Sequence, residues 1–130
     1  MNAKVETELF FVTPTRVGLL AEVTEVLRDA GVDIRAIGAY DKDDHGEFML
    51  IVSDAPLAKM ALGRIGINAV EKSVVTVEVP DTPGALAEVA RKIADGGVNI
   101  GWVYATTSGS PTATLVLRTE DNDGVAQLLS

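Results

Sequence analysis

A carboxylate, a side-chain amide and a bare helix start are the chemistry this sequence offers first. Residues 80–89 read PDTPGALAEV. Asp81 can accept from an ammonium group, Thr82 has the side chain of an N-cap, and Pro83 suits a first helical position because its missing N–H is not needed there. Gly84, with no β-carbon, lets another backbone or a small ligand approach closely. The unpaired N–H groups and the positive end of the helix dipole at such a corner favour a carboxylate. Asn99, at the start of the following strand, both donates and accepts. Taken together these groups can hold both ends of a free amino acid, which is binding chemistry rather than catalysis. By spacing alone, Asp81 and Thr82 read equally as turn and cap, and Asn99 as the start of a strand.

Other chemistries find little support. The chain has no cysteine, which removes disulfides, thiolate metal sites and cysteine nucleophiles together. DKDDHG, from Asp41, resembles the front of a calcium loop, but the twelfth position is Val52, so the bidentate glutamate is missing and a solvated hairpin is expected. His45 is the single histidine, too few for a transition-metal site, and no metal or cofactor is expected. Gly109-Ser110-Pro111 is not a nucleophile elbow, and no phosphate loop is present, so no catalytic residue is assigned. Trp102 and Tyr104 share a face with Ile100 if their strand alternates normally, and read as packing residues. A net charge of −8 without a basic stripe argues against nucleic acid. No signal peptide or spanning stretch is visible, so the chain reads as cytoplasmic, with no membrane partner.

The elements that would position the corner are written twice. Residues 14–34 and 80–100, 66 apart, share ten identities in 21 positions without a gap, including Pro14 with Pro80, Gly18 with Gly84 and Gly31 with Gly97. In each copy an alternating strand gives way to a helical period (Leu20, Val23, Leu27; Leu86, Val89, Ile93), and Gly31 or Gly97 stands where a helix C-terminus tolerates left-handed geometry. A second strand comes next (32–40 and 98–106), then a hairpin (41–47 and 107–111) and a third strand (48–52 and 114–118). A second helix completes the pattern, capped by Asp54 in the first copy and by Asn122, through Leu129, in the second. A last strand, 68–72, runs almost directly into the second copy.

The expected fold class is therefore α+β: two ferredoxin-like βαββαβ units in tandem with antiparallel sheets, domains 1–72 and 73–130, the second lacking its last strand. That leaves an open edge for something to cover. Phe48, Leu50 and Val52 make one face of a strand apolar, and Met49 and Ile51 the other. The doubled apolar character predicts a homodimer with sheets face to face.

V-P-D-T-P-G-A-L, a helix, then G-G-V-N-I resembles the ACT domain, a small regulatory module attached to enzymes of amino-acid metabolism and also found as free-standing tandem proteins. The resemblance covers nearly the whole chain, twice. It implies a small amino acid held at the interface between paired modules by the strand-to-helix loop and the asparagine that begins the second strand: Asp81, Gly84, Ala85 and Asn99. The first copy keeps Gly18 and Leu19 but has Thr15 for the aspartate, Val17 for the proline and Asp33 for the asparagine. A carboxylate at Asp33 would repel the ligand's own, so the second-copy site ranks above the first. The function implied is an amino-acid-binding regulatory protein and not an enzyme. The alternative is a ligand-free interaction module, the regulatory subunit of an enzyme of amino-acid metabolism in trans.

Overall fold

The computed structural model describes residues 1–109 and 111–130; Ser110, within the expected second hairpin and the G-S-P stretch, lies outside the described residues. The elements run β1 (Asn2–Pro14), α1 (Leu19–Asp29), β2 (Ile34–Lys42), β3 (His45–Val52), α2 (Ala55–Arg64), β4 (Val70–Pro80), α3 (Ala85–Asp95), β5 (Ile100–Thr107), β6 (Thr112–Thr119) and α4 (Asn122–Leu128). This is the βαββαβ pattern written twice, on antiparallel strands, and no strand comes after α4 among the described residues.

The chain divides into two compact units, Thr7–Lys72 and Met1–Glu6 with Ser73–Ser130. Met1–Glu6, which the repeat alone places in a domain of residues 1–72, belong to the second of these. The expected last strand of copy one and first strand of copy two are a single uninterrupted strand, β4, divided between the units after Lys72.

In the unit Thr7–Lys72 the strand order is β2-β3-β1-β4, with β4 contributing its first residues. Its core joins Leu9 and Phe11 of β1, Val23 and Leu27 of α1, Phe48 and Leu50 of β3, and Ala58 and Leu62 of α2. The Phe11 and Phe48 rings stack with centroids 4.8 Å apart, an offset arrangement worth about 1 kcal/mol beyond burial. α2 begins as expected, with the Asp54 carboxylate accepting from the Leu57 amide at 3.0 Å.

In the other unit the order is β1-β4-β6-β5, and residues 2–6 of β1 take the edge position that the missing last strand leaves open. Ala3 packs against a core of Val75, Val77, Val89, Ile93, Leu115 and Leu117, and the Thr76 hydroxyl donates to the Glu6 carboxylate. The open edge is thus closed by the chain's own N-terminal segment. The second helix differs from expectation by one residue at its start: Asp121, not Asn122, caps α4, accepting from the Gly124 amide at 3.0 Å. Asn122 is taken up elsewhere, its Oδ1 accepting from the Thr119 amide and hydroxyl and its Nδ2 donating to the Ser73 carbonyl.

Two further departures are local. Asp43 and Asp44 both have positive φ (53° and 63°), so the first hairpin is a two-residue turn of the I′ class, whose twist suits antiparallel strands. The second hairpin is one residue longer: Pro14 pairs with His45 but Pro80 pairs with Thr112, so β3 and β6 correspond at an offset of 67, not 66. Register also shifts between Ile100 and Trp102. Ile100 packs against the helix-side core, whereas Trp102 pairs with Arg118, whose guanidinium lies 3.2 Å from the indole centroid. The expected shared face of Ile100 with Trp102 and Tyr104 is broken by this bulge, because one extra residue turns the later side chains of the strand to the other face.

Met49 (7 % exposed) and Ile51 (2 %) are already buried within the single chain. The second apolar face therefore supplies no argument of its own for a face-to-face homodimer. Among the described residues no helix is long and apolar enough to cross a membrane, and no group of three or more His, Cys, Asp or Glu is placed to hold a metal ion.

Candidate functional site

Both strand-to-helix corners are built on the same plan. Gly18 and Gly84 are the N-caps of α1 and α3, with φ of 86° and 89°, so each glycine is required by left-handed backbone at the turn into the helix. A β-carbon at either would meet nothing within 4 Å. The expected N-cap Thr82 and first helical Pro83 therefore lie before the helix, and no side chain caps either start. Leu19 and Ala85, the first helical residues, donate their amides back to the Arg16 and Thr82 carbonyls. Glu22 and Glu88 donate to the cap carbonyls, leaving the amides of Leu20, Ala21, Leu86 and Ala87 without a partner among the described residues.

A carboxylate stands at each corner, delivered from opposite sides. In the second unit Asp81, in the loop, accepts from the Thr107 hydroxyl of β5 at 2.6 Å. In the first unit Thr15, in the loop, donates to Asp41 of β2 at 2.8 Å. Thr15 corresponds to Asp81 and Asp41 to Thr107 at the 66-residue offset, so the same hydrogen bond is kept with donor and acceptor exchanged. Each loop is also pinned to its hairpin by the backbone, Thr15 N–H to Asp44 at 2.9 Å and Asp81 N–H to Pro111 at 3.0 Å. The threonine that looks from sequence like a loss of the acidic group is half of an inverted pair.

The first-unit corner opens into a pocket of about 330 Å³. Its rim carries Thr15, Arg16 and Asp41, and Gly18, Leu20 and Ala21 bring the helix start to it. Leu19, Ala39, Gly46 and Phe48 complete the lining, with Tyr40 contributing from β2 while its phenol lies with Glu47 on the other face of the sheet. Arg16 is held across the corner by Glu22, with Nη2 to Oε2 at 2.7 Å and Nε to the same oxygen at 3.2 Å. A β-carbon on Gly46 would come within 3.1 Å of Leu19 Cδ2 and 3.2 Å of Phe48 Cε1, so glycine lets these two large side chains close the floor.

The structure does not bring every expected residue to a corner. Asn99 and Asp33 stand one residue before β5 and β2, beside the far ends of β6 and β3, whereas Asp81 and Thr15 come after strands paired to the near ends. Eight-residue strands separate them by roughly 20 Å. There the Asn99 and Asp33 amides donate to the Glu120 carboxylate and the Ser53 hydroxyl, and their carbonyls accept from the Glu120 and Ser53 amides. Asp81, Thr82, Gly84 and Ala85 do share one corner, as do Thr15, Gly18 and Leu19. Asp41 and Gly46 were missed, since only strand pairing carries the hairpin to the helix start, and Arg16, in the loop itself, was passed over because the second copy has threonine there.

The Tyr40 phenol is pushed above its ordinary value of 10.0, first by desolvation, then by the hydrogen bond and charge of Glu47 across the strand pair. An acid whose folded pKa is raised leaves stability unaltered below pH 10 and lowers it as pH rises past that value. Ultraviolet titration of the tyrosinate band should show one of the two tyrosines ionising late, and Glu47→Gln should bring that midpoint down.

With this geometry in view, residues 5–129 match the ACT domain pair family. The chain belongs to the ACT domain pair family. It is a family of regulatory rather than catalytic domains. A solved protein from Bacteroides thetaiotaomicron is 31 % identical, with a TM-score of 0.87 over 99 % of this chain and 89 % of its own. The regulatory subunit of aspartate kinase from Thermus thermophilus, in a ligand-free form, shares the fold at 16 % identity and a TM-score of 0.72, over 99 % of this chain and 95 % of that one. An aspartokinase of Corynebacterium efficiens is 27 % identical over 96 residues, which are 74 % of this ACT pair and 23 % of the aspartokinase. The chain thus spans about a quarter of that relative's length.

Proposed function

We propose that this ACT pair is an amino-acid-responsive regulatory protein whose ligand sits at the first-unit corner. The observation that supports it is one pocket that puts two unpaired helix-start amides, of Leu20 and Ala21, within the same walls as the Asp41 carboxylate. The amides and the α1 dipole suit an α-carboxylate, and Asp41, with one oxygen committed to Thr15, has the other for an ammonium group. This reverses the ranking expected from sequence, which preferred Asp81, Gly84 and Asn99. A homodimer forms part of the proposal, with the exposed Val17 and Leu20 at the start of α1 as the surface a second copy would cover. The ligand regulates by binding one assembly state more tightly than another, since equal affinities shift nothing.

The test is a thermal-shift and calorimetric screen of the full chain against the free amino acids. A binder at a hundred times its Kd should add about 2.7 kcal/mol to the stability of the unit it occupies. No shift and no heat at millimolar concentrations would end this reading.

A second reading, a regulatory subunit acting on an enzyme in trans without a ligand of its own, is favoured by the likeness to aspartokinase sequence and to aspartate kinase regulatory subunits. Asp41→Asn separates the two: it should move a ligand response to about tenfold higher ligand concentration but leave ligand-independent partner binding unaltered.

A further inference from the structure

From the walls of the first-unit pocket we infer that its ligand is an amino acid with an uncharged, apolar side chain of middle size; this rests on the amino-acid reading above and specifies it. The polar side chains of the lining are Thr15, Arg16 and Asp41, and the apolar ones that share the helix side of the sheet are Leu19, Leu20, Ala39 and Phe48. No charged group lines the floor, and Arg16, the one cation of the rim, is already paired with Glu22. A ligand gripped by its ammonium and carboxylate at the rim therefore directs its side chain against hydrocarbon and aromatic surface, where a charged or amide group would lose water without gaining a partner. The volume, about 330 Å³, is at the lower end for binding pockets and suits one small metabolite.

The second corner shows that these walls are a property of the first and not of the shared fold. By the repeat, Leu19 corresponds to Ala85, and by the pairing of the strands, Phe48 corresponds to Leu115 and Gly46 to Ala113. The changes are concerted. Where the two facing side chains are large the strand carries glycine, whose β-carbon would crowd both at 3.1 and 3.2 Å; where they are smaller it carries alanine. The phenylalanine and leucine surface is assembled around the corner that opens into this pocket, and the second corner carries leucine and alanine in their places.

The experiment is calorimetry of the full chain with glycine, alanine, valine, leucine, methionine, serine, aspartate and lysine. Each buried methylene is worth about fourfold in affinity, so leucine or methionine should bind at least tenfold more tightly than alanine, serine, aspartate or lysine. Leu20→Ser, at a position 55 % exposed, should lower the ratio of leucine to alanine affinity about fourfold. Tighter binding of serine, aspartate or lysine than of any apolar member would overturn the inference and leave the amino-acid reading standing. Equal weakening of leucine and alanine by Leu20→Ser would likewise overturn it, and binding of none of the set would remove both.

Discussion

Deleting Met1–Glu6 should unfold the second unit while the first survives. The segment supplies the edge strand beside β4, brings Ala3 to the core and accepts the Thr76 hydroxyl bond through Glu6. Without it, Val74–Val77, all buried, lie in a strand whose backbone donors and acceptors lose one partner row. At about 1 kcal/mol net per hydrogen bond, several such bonds and the lost packing amount to roughly 3 kcal/mol or more. In a unit of this size that is a fall of about 10 °C or more in its melting temperature. The bared edge also invites pairing between chains, so aggregation should accompany the loss. Hydrogen exchange read by segment gives the decisive check: protection should fall in β4, α3, β6 and α4 and persist in α1, β3 and α2. A truncated chain that melts unchanged, with β4 still protected, would show that the N-terminal strand is dispensable.

The reason this strand escaped a reading of the sequence is physical. Residues 2–6, NAKVE, carry one apolar β-branched residue, Val5, which is 42 % exposed even in place. An edge strand draws on backbone pairing more than on its side chains, so its own residues hold little pattern. What was legible were features with a local cause. The doubled glycines Gly18, Gly84, Gly31 and Gly97 all adopt the left-handed backbone that makes them necessary, and of the helical period Leu20, Val23 and Leu27 the last two mark the buried face of α1, whereas Leu20 is exposed and Leu19 takes the core position. Asp54 caps α2 because a carboxylate three residues before a free amide acts over a single turn. What was not legible depended on partners distant in the chain. Nothing near Asn122 announces its bonds to Ser73, and nothing near Thr15 announces Asp41, 26 residues away. The one-residue difference between the hairpins hid the true correspondence of β3 with β6, and with it the match of Gly46 to Ala113.

The inverted Thr–Asp pair permits a sharp test of the corner. Asp41→Asn keeps an oxygen to accept from Thr15 at the position now 2.8 Å away, so the loop stays anchored while the negative charge is lost. A hydrogen bond to a charged partner contributes about 1.5–3 kcal/mol. Asp41 is exposed, so the lower bound, further reduced by solvent screening, is the relevant one. The expected loss of amino-acid affinity is about tenfold, or roughly 1.4 kcal/mol, with the melting temperature of the free protein nearly unchanged. Because the second unit reaches the same arrangement from the other side, with Asp81 in the loop and Thr107 in the strand, the double exchange Thr15→Asp with Asp41→Thr should return the charge to the corner and restore most of the affinity. Recovery in the exchanged protein and loss in Asp41→Asn together identify the carboxylate, rather than the residue that carries it, as the group facing the ligand's ammonium. If Asp41→Asn binds as the parent does, the ammonium lies elsewhere and the pocket holds its ligand by the helix start alone.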